Sequence, residues 1–179
     1  LYDFELEIFD IEKTSTHGGS NRYYIKKKKD KLYKINKSVK KNIKAEIKYG
    51  LHKLSTYKDF SHRIINSKKK LVKIFKDVKN KNKKIIGYGA TAKSCTVLNY
   101  CNIKGDVIDF FYDTTSFKIG KYLPGTKIKI NRYKKLDVRK VDYVFLGAWN
   151  FKNEIFKKEK KFIRSGGKFI THIPIPKII

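Results

Sequence analysis

Eight residues in the middle of the chain combine the features that a phosphate-binding turn requires: Gly87-Tyr88-Gly89-Ala90-Thr91-Ala92-Lys93-Ser94. They follow a short apolar run, Lys84-Ile85-Ile86, and open a helical pattern. A helix start offers unpaired amides and a positive dipole end to an anion. Gly87 permits a tight turn, Gly89 lets a ligand approach the backbone beside Ala90, and Ala92 is small enough for close helix–strand packing. This is the spacing of the G-x-G-x-x-G/A fingerprint. No glycine precedes Lys93, so the stretch is not a Walker A loop. Thr91, Lys93 and Ser94 add side-chain donors for a phosphate. The competing reading is a glycine turn needed only for packing.

Three further clusters bear on chemistry. Asp113 closes a second apolar run, Val107 to Tyr112, in the neighbourhood where dinucleotide enzymes hold a ribose. His17-Gly18-Gly19-Ser20 places an imidazole beside a backbone that a ligand can approach, with Arg22 nearby. It reads equally as a hairpin turn carrying an exposed histidine. Gly147-Ala148-Trp149-Asn150 sets the single tryptophan and an amide after another core run, as a wall for stacking and hydrogen bonding. There the alternative is an indole packed on the next helix, with Asn150 as N-cap. His52, His62 and His172 stand apart from other ligand types and read as structural.

These residues need elements to position them. Leu6 and Ile8 alternate with Glu5 and Glu7, and Asn21 to Ile25 resumes an extended pattern after the glycines, so residues 1–25 read as strand, turn, strand. Lys26 to Lys29 reads as a solvated loop. Helical periodicity runs from Ser38 to about Lys79: Val39, Ile43 and Ile47, then Leu71, Ile74, Phe75 and Val78, with a break near Gly50 and Ser55-Thr56. Beyond Asn80, strands at 84–88, 107–112, 127–130, 141–146 and 168–173 alternate with helices at 91–101 and 151–164. That alternation predicts an α/β fold, a Rossmann-like and mostly parallel sheet flanked by helices, preceded by a β-hairpin-like segment and an amphipathic helical region. The corresponding domain expectation is residues 1–37, a helical connector 38–80 and a Rossmann-like domain 81–179.

Composition narrows the partners. The formal charge is +28, but only five of the 44 basic residues are arginines. Arginine is the residue suited to bidentate phosphate and base recognition. Abundant Ile, Asn, Tyr and Phe point to codon-driven drift, which spreads lysine over every solvated face, so nucleic acid is not the expected partner. No apolar run approaches the roughly 20 residues that span a bilayer, and the acidic start at Leu1 to Asp10 is no signal peptide. A cytoplasmic setting without membrane attachment is the expectation. Cys95 and Cys101, with no clustered histidines, form no zinc site and read as small packed hydrophobes. The chain contains no methionine and opens in mid-pattern, so it reads as a fragment of a longer protein.

Six stretches occur in the same order in one family: "THGGSNR" (16–22), "GYGATAKS" (87–94), "NYC" (99–101), "YDTTSFKIGKYLPGT" (112–126), "AWNF" (148–151) and "GGKFI" (166–170). The chain resembles, almost end to end, the carboxy-terminal half of the S-adenosylmethionine-dependent C-methyltransferases that act on nucleotide-linked deoxysugars. The resemblance implies proton abstraction beside a keto group on the sugar, then attack of the enolate carbon on the donor methyl. It also implies a zinc-binding domain, a donor-binding domain and a Tyr-x-Glu-His catalytic segment upstream of Leu1. No cofactor or metal ligands are therefore assigned within this chain, and the fragment alone is expected to be inactive. His17, Ser20 and Arg22 would lie beside the catalytic pocket. Gly87, Gly89, Ala90, Thr91, Lys93, Ser94, Asp113, Trp149 and Asn150 would hold a sugar nucleotide, expected to be of the thymidine diphosphate type. "DTTSFKIG" departs from the family's basic or asparagine-containing stretch after the aspartate, which leaves Thr114 to Phe117 without roles.

Two other classes compete. A nicotinamide-binding oxidoreductase rests on Gly87, Gly89, Ala92 and Asp113, although no convincing hydride-transfer set follows. A basic polyanion-binding module rests on charge alone and predicts binding that falls steeply with salt.

Overall fold

The computed structural model describes residues 1–179, with the side chain of Tyr2 excepted. The chain divides into two compact units, Leu1–His62 and Arg63–Ile179.

The first unit is built on a hairpin of β1 (Leu6–Thr14) and β2 (Ser20–Lys27), in register from Leu6 opposite Lys27 to Thr14 opposite Ser20, with an irregularity between Ile8 and Asp10. The alternation in residues 1–25 thus forms the expected strand–turn–strand. Lys26 and Lys27 extend the second strand instead of entering a loop, because Lys26 finds Glu7 across the pair at 3.0 Å with its side chain only 9% exposed. α1 (Lys37–Tyr49) is tied to the hairpin through Asp10, which accepts hydrogen bonds from the Ser38 hydroxyl at 2.5 Å and the Asn36 amide at 3.0 Å. Left-handed Gly50 ends α1, its amide returning to the carbonyls of Glu46 and Ile47. Among the described residues of this unit, Gly50 alone is fully buried.

α2 (Leu54–Lys79) begins in the first unit and ends in the second. In the second unit come β3 (Ile85–Tyr88), α3 (Ala92–Tyr100), β4 (Phe110–Asp113), β5 (Tyr122–Leu123), β6 (Ile128–Arg132), β7 (Tyr143–Leu146), α4 (Lys152–Lys158), α5 (Lys160–Arg164), β8 (Lys168–Thr171) and β9 (Lys177–Ile178). Among the described residues the sheet has seven strands in the order β5-β6-β4-β3-β7-β8-β9. The five from β6 to β8 are parallel, and short antiparallel strands close both edges. The fold expectation holds: a Rossmann-like, mostly parallel sheet covered on both faces. Alternate residues of each strand serve opposite layers. Ile85, Phe111, Phe145 and Ile170 join Leu71, Phe75, Val78 and Leu98. Ile86, Val144, Leu146 and Phe169 join Ile155 and Phe162. Burial on both faces explains why these strands read as unbroken apolar runs.

Two element boundaries differ from expectation. Val107 to Asp109 is not strand: Val107 and Ile108 turn back to the carbonyl of Lys104, and β4 starts at Phe110. The single helix expected over 151–164 breaks at Glu159, whose side chain turns inward, 1% exposed, to accept hydrogen bonds from the hydroxyls of Tyr133 at 2.6 Å and Tyr88 at 3.3 Å. No helix among the described residues is long and apolar enough to cross a membrane.

Candidate functional site

The sheet order fixes where a crevice forms. From central β3 the chain moves outward through β4 to β6, then returns to the other side of β3 as β7. The carboxyl ends of β3 and β7 therefore flank the topological switch point, the place where open α/β sheets bind ligands. Gly89 follows β3 there, and Gly147 follows β7.

The two glycine loops pack directly against each other. A Cβ on Gly89 would lie 2.5 Å from the Ala148 methyl, and one on Gly147 would collide with the Gly89 carbonyl and the Ser94 hydroxyl. Gly89 also has φ of +83°, so its freedom and its small size are both used. Gly87 lies within β3, and a Cβ there would enter the Phe111 ring. It serves sheet packing rather than the tight turn its spacing suggested.

Hydrogen bonds consume most of the expected donors of this turn. The Ala90 amide donates to Asp113 Oδ2 at 2.8 Å. Thr91 and Ser94 form a reciprocal cap: the Ser94 amide donates to Thr91 Oγ1 and the Thr91 amide to Ser94 Oγ, each at 3.1 Å. The fully buried Ser94 hydroxyl also donates to the Gly89 carbonyl at 2.8 Å. The first-turn amides of Ala92 and Lys93 are left with no acceptor among the described residues.

Around those two amides the structure gathers the other candidates. Lys93 Nζ lies 3.3 Å from Asn150 Oδ1 and 5.0 Å from the centre of the Trp149 ring. Asn150 is not a helix cap: Phe151 occupies that position before α4. Asp113, 8% exposed, has both oxygens engaged, Oδ2 by Ala90 and Oδ1 by the Thr115 amide at 2.8 Å. Lys118 Nζ stands 3.6 Å from Asp113 and donates to the Ala90 carbonyl at 3.0 Å. Burial opposes the charge on Asp113. The bonds from Thr115, the Lys118 ammonium and the Ala90 amide outweigh it and hold the carboxyl below its ordinary value. With each oxygen holding a backbone amide and its side chain buried, Asp113 organises the turn.

Sequence reasoning missed Lys118 and the Tyr88–Tyr133–Glu159 cluster. Lys118 lies within "DTTSFKIG", and its place five residues after Asp113, across a short 3-10 turn, was the available signal. Tyr88 belongs to the glycine motif itself, but its ring points to the opposite layer, where the hydroxyl meets Glu159. Burial, then the bond to Glu159, pushes the Tyr133 phenol up to about 12. No sequence spacing announced the contact of Glu159 with Tyr88, 71 positions away.

His17, Ser20 and Arg22 belong to the first unit. His17, Gly18 and Gly19 all have positive φ, 54°, 90° and 121°, which lets β1 reverse into β2. Gly19 faces open space. The Ser20 hydroxyl donates to the Thr16 carbonyl at 3.0 Å, and Arg22 pairs with Glu12 at 3.0 Å, both exposed.

The second unit is thus a Rossmann-like domain with a self-capped glycine turn and a lysine–tryptophan–asparagine cluster at its switch point. A family model for the C-methyltransferase C-terminal domain matches residues 15–174, and the chain belongs to that family. It is similar to C-methyltransferase NovU of Streptomyces niveus, with 31% identity over 174 residues. That alignment covers 97% of this chain and 41% of the relative, so the chain spans less than half of that protein's length.

Proposed function

We propose that this chain is the acceptor-holding portion of an S-adenosylmethionine-dependent C-methyltransferase whose substrate is a nucleotide-linked keto-deoxysugar of the thymidine diphosphate type. The observation that carries the reading is the convergence at the switch point of two unpaired amides, Ala92 and Lys93, with the Lys93 ammonium, Trp149 and Asn150. The diphosphate lies against the amides and Lys93, where dipole and charge both favour an anion. Trp149 offers a face for the base, and Asn150 a hydrogen-bonding edge. Gly89, Ala90, Thr91, Ser94 and Asp113 shape the turn that presents these groups, and Gly87 seats the strand that leads into it against Phe111. His17, Ser20 and Arg22 are a separate set of candidate contacts on the first unit, with His17 the candidate for a place beside the reacting sugar.

The residues here do not fit the methyl donor. Its usual glycine-turn cradle would need the side of Gly89 that Ala148 fills, and a ribose-binding carboxylate would need the oxygens that Asp113 gives to Ala90 and Thr115. The proposal therefore assigns this chain acceptor binding and orientation, with the donor held elsewhere in the longer protein. The same two facts disfavour a nicotinamide dehydrogenase.

Titration with thymidine diphosphate, followed by fluorescence of the single tryptophan, tests the reading. A saturable change is expected, weakened at least tenfold in Lys93→Gln, since a charge-assisted hydrogen bond is worth about 1.5 kcal/mol or more. Binding of reduced nicotinamide dinucleotide in preference to thymidine diphosphate would overturn it. Gly89→Val would be a poor probe, because its first effect is a clash with Ala148.

A further inference from the structure

Among the described residues only two carboxylates are buried, Asp113 and Glu159. Glu159 is answered by two phenols on the α4–α5 side of the sheet. Asp113 is different, because it stands on the anion-binding turn itself. Its Oδ2 takes the Ala90 amide, two residues before the free amide of Ala92, and its Oδ1 takes the Thr115 amide. Those bonds and a neighbouring ammonium keep it ionised in spite of burial. Like charges sheltered from water repel with far less screening than at an open surface. The turn therefore carries a charge of the wrong sign for the ligand to which it offers amides.

One side chain answers that charge. Lys118 Nζ lies 3.6 Å from Asp113 Oδ2, the only ion pair of Asp113 among the described residues. That separation is too long for a hydrogen bond, so the contact is one of charge. The ammonium donates instead to the Ala90 carbonyl at 3.0 Å. Carboxylate and ammonium thus hold the two polar ends of one residue, Asp113 the amide of Ala90 and Lys118 its carbonyl. The backbone that carries Lys118 is also fixed: the Thr115 amide binds Asp113, and the Lys118 amide donates to the Thr115 carbonyl at 3.0 Å. The Lys118 side chain is 30% exposed and that of Asp113 7%, so the cation is the more open of the pair.

We propose that Lys118 is a positioning residue that masks the Asp113 carboxylate, so that the first turn of α3 can receive a polyanionic diphosphate. It acts through Asp113 and not by gripping the ligand. The inference rests on the reading of the Ala92 and Lys93 amides as the diphosphate seat, and it adds a rule of charge specificity: the more negative the ligand, the more its binding depends on Lys118.

The test uses the full 179-residue chain, with inorganic pyrophosphate and orthophosphate as probes and the amide chemical shifts of Ala92 and Lys93 as readout. Lys118→Gln should weaken pyrophosphate about tenfold and the less charged orthophosphate about threefold, since the unmasked repulsion scales with ligand charge. A turn that had merely lost its shape would weaken both probes alike. Adding Asp113→Asn to Lys118→Gln should return pyrophosphate binding to within about threefold of the parent, because the charge has gone with its mask. Circular dichroism shows whether that double variant folds, and if it does not, the two-probe comparison in the single variant decides. The proposal is overturned by a parent with no saturable pyrophosphate shift at those amides, by equal losses for the two probes, or by a folded double variant as weak as Lys118→Gln, which would mean that Lys118 holds the phosphate directly. Thymidine diphosphate separates this inference from the reading beneath it. If pyrophosphate follows the expected pattern and the nucleotide binds no more tightly, the sugar-nucleotide reading fails and the masking stands. If the nucleotide binds at the amides and Lys118→Gln loses nothing, the masking fails and that reading stands.

Discussion

The two glycine turns of this molecule, Gly87–Ser94 in the second unit and His17–Ser20 in the first, look alike as sequence and differ as structure. In the first, nearly every polar group is answered from within: Asp113 takes the Ala90 amide, Thr91 and Ser94 cap each other, and Ala148 fills the space beside Gly89. In the second, three consecutive residues adopt positive φ to reverse a hairpin, and Gly19 faces open space. One turn is rigid scaffold that exposes two chosen amides. The other is a backbone shape made by glycine's conformational freedom. A glycine pattern alone therefore does not tell whether small size or left-handed geometry is required, and the distinction predicts different mutational responses.

The largest effect should follow from filling space in the packed region. Gly87→Val drives side-chain atoms into the Phe111 ring and should cost about 3 kcal/mol or more. Gly19→Ala meets no neighbour and should cost about 1–2 kcal/mol through its positive φ alone. Urea denaturation of each variant measures both, and equal losses would erase the contrast between the turns.

Nearly as large is the acid sensitivity of the packed unit. The His172 imidazole titrates near 6.5 when unfolded and at about 4 when folded, because burial disfavours its charge. Between these values the unfolded chain binds more protons. Stability is then fully present above about pH 6.5 and declines as pH falls toward 4, by about 3 kcal/mol in all. His172→Leu should flatten that part of the profile; an unchanged slope would show that the ring is not held neutral.

Smaller effects separate the two serines. Ser94→Ala removes half of a reciprocal cap and a bond to the Gly89 carbonyl, and should cost about 1–2 kcal/mol. Ser20→Ala loses only an exposed bond to Thr16 and should fall within about 0.5 kcal/mol of the parent. Smallest of all, Arg22→Ala breaks a solvent-exposed pair with Glu12 and should leave the unfolding midpoint unmoved.

The fold was legible in the sequence where burial imposes a simple pattern. Strands covered on both faces are short apolar runs, and β3, β7 and β8 fell where those runs predicted. Boundaries failed where a side chain at long sequence separation overrides local periodicity. Glu159 interrupts a regular helical stretch because Tyr88 and Tyr133 draw it inward, and Lys26 stays in strand because Glu7 faces it. At the candidate site, the spacing of Gly87 to Ser94 located the turn, and Trp149 and Asn150 the facing wall. Which donors remain free was not legible, since that depends on Asp113 reaching back to Ala90 and on Thr91 and Ser94 satisfying each other. Gly87 was read as a turn residue because nothing in its neighbours reveals the Phe111 ring from the adjacent strand.

The central claim is that the amides of Ala92 and Lys93, left unpaired by that capping, receive the diphosphate of an activated sugar. Backbone amide chemical shifts recorded during a thymidine diphosphate titration test it most directly. The account predicts that Ala92 and Lys93 move together with the Trp149 indole along one saturation curve, while Ala90 and Ser94, already bonded internally, move little. Perturbations confined to Gly18–Ser20, or distributed over surface lysines without saturation, would contradict it.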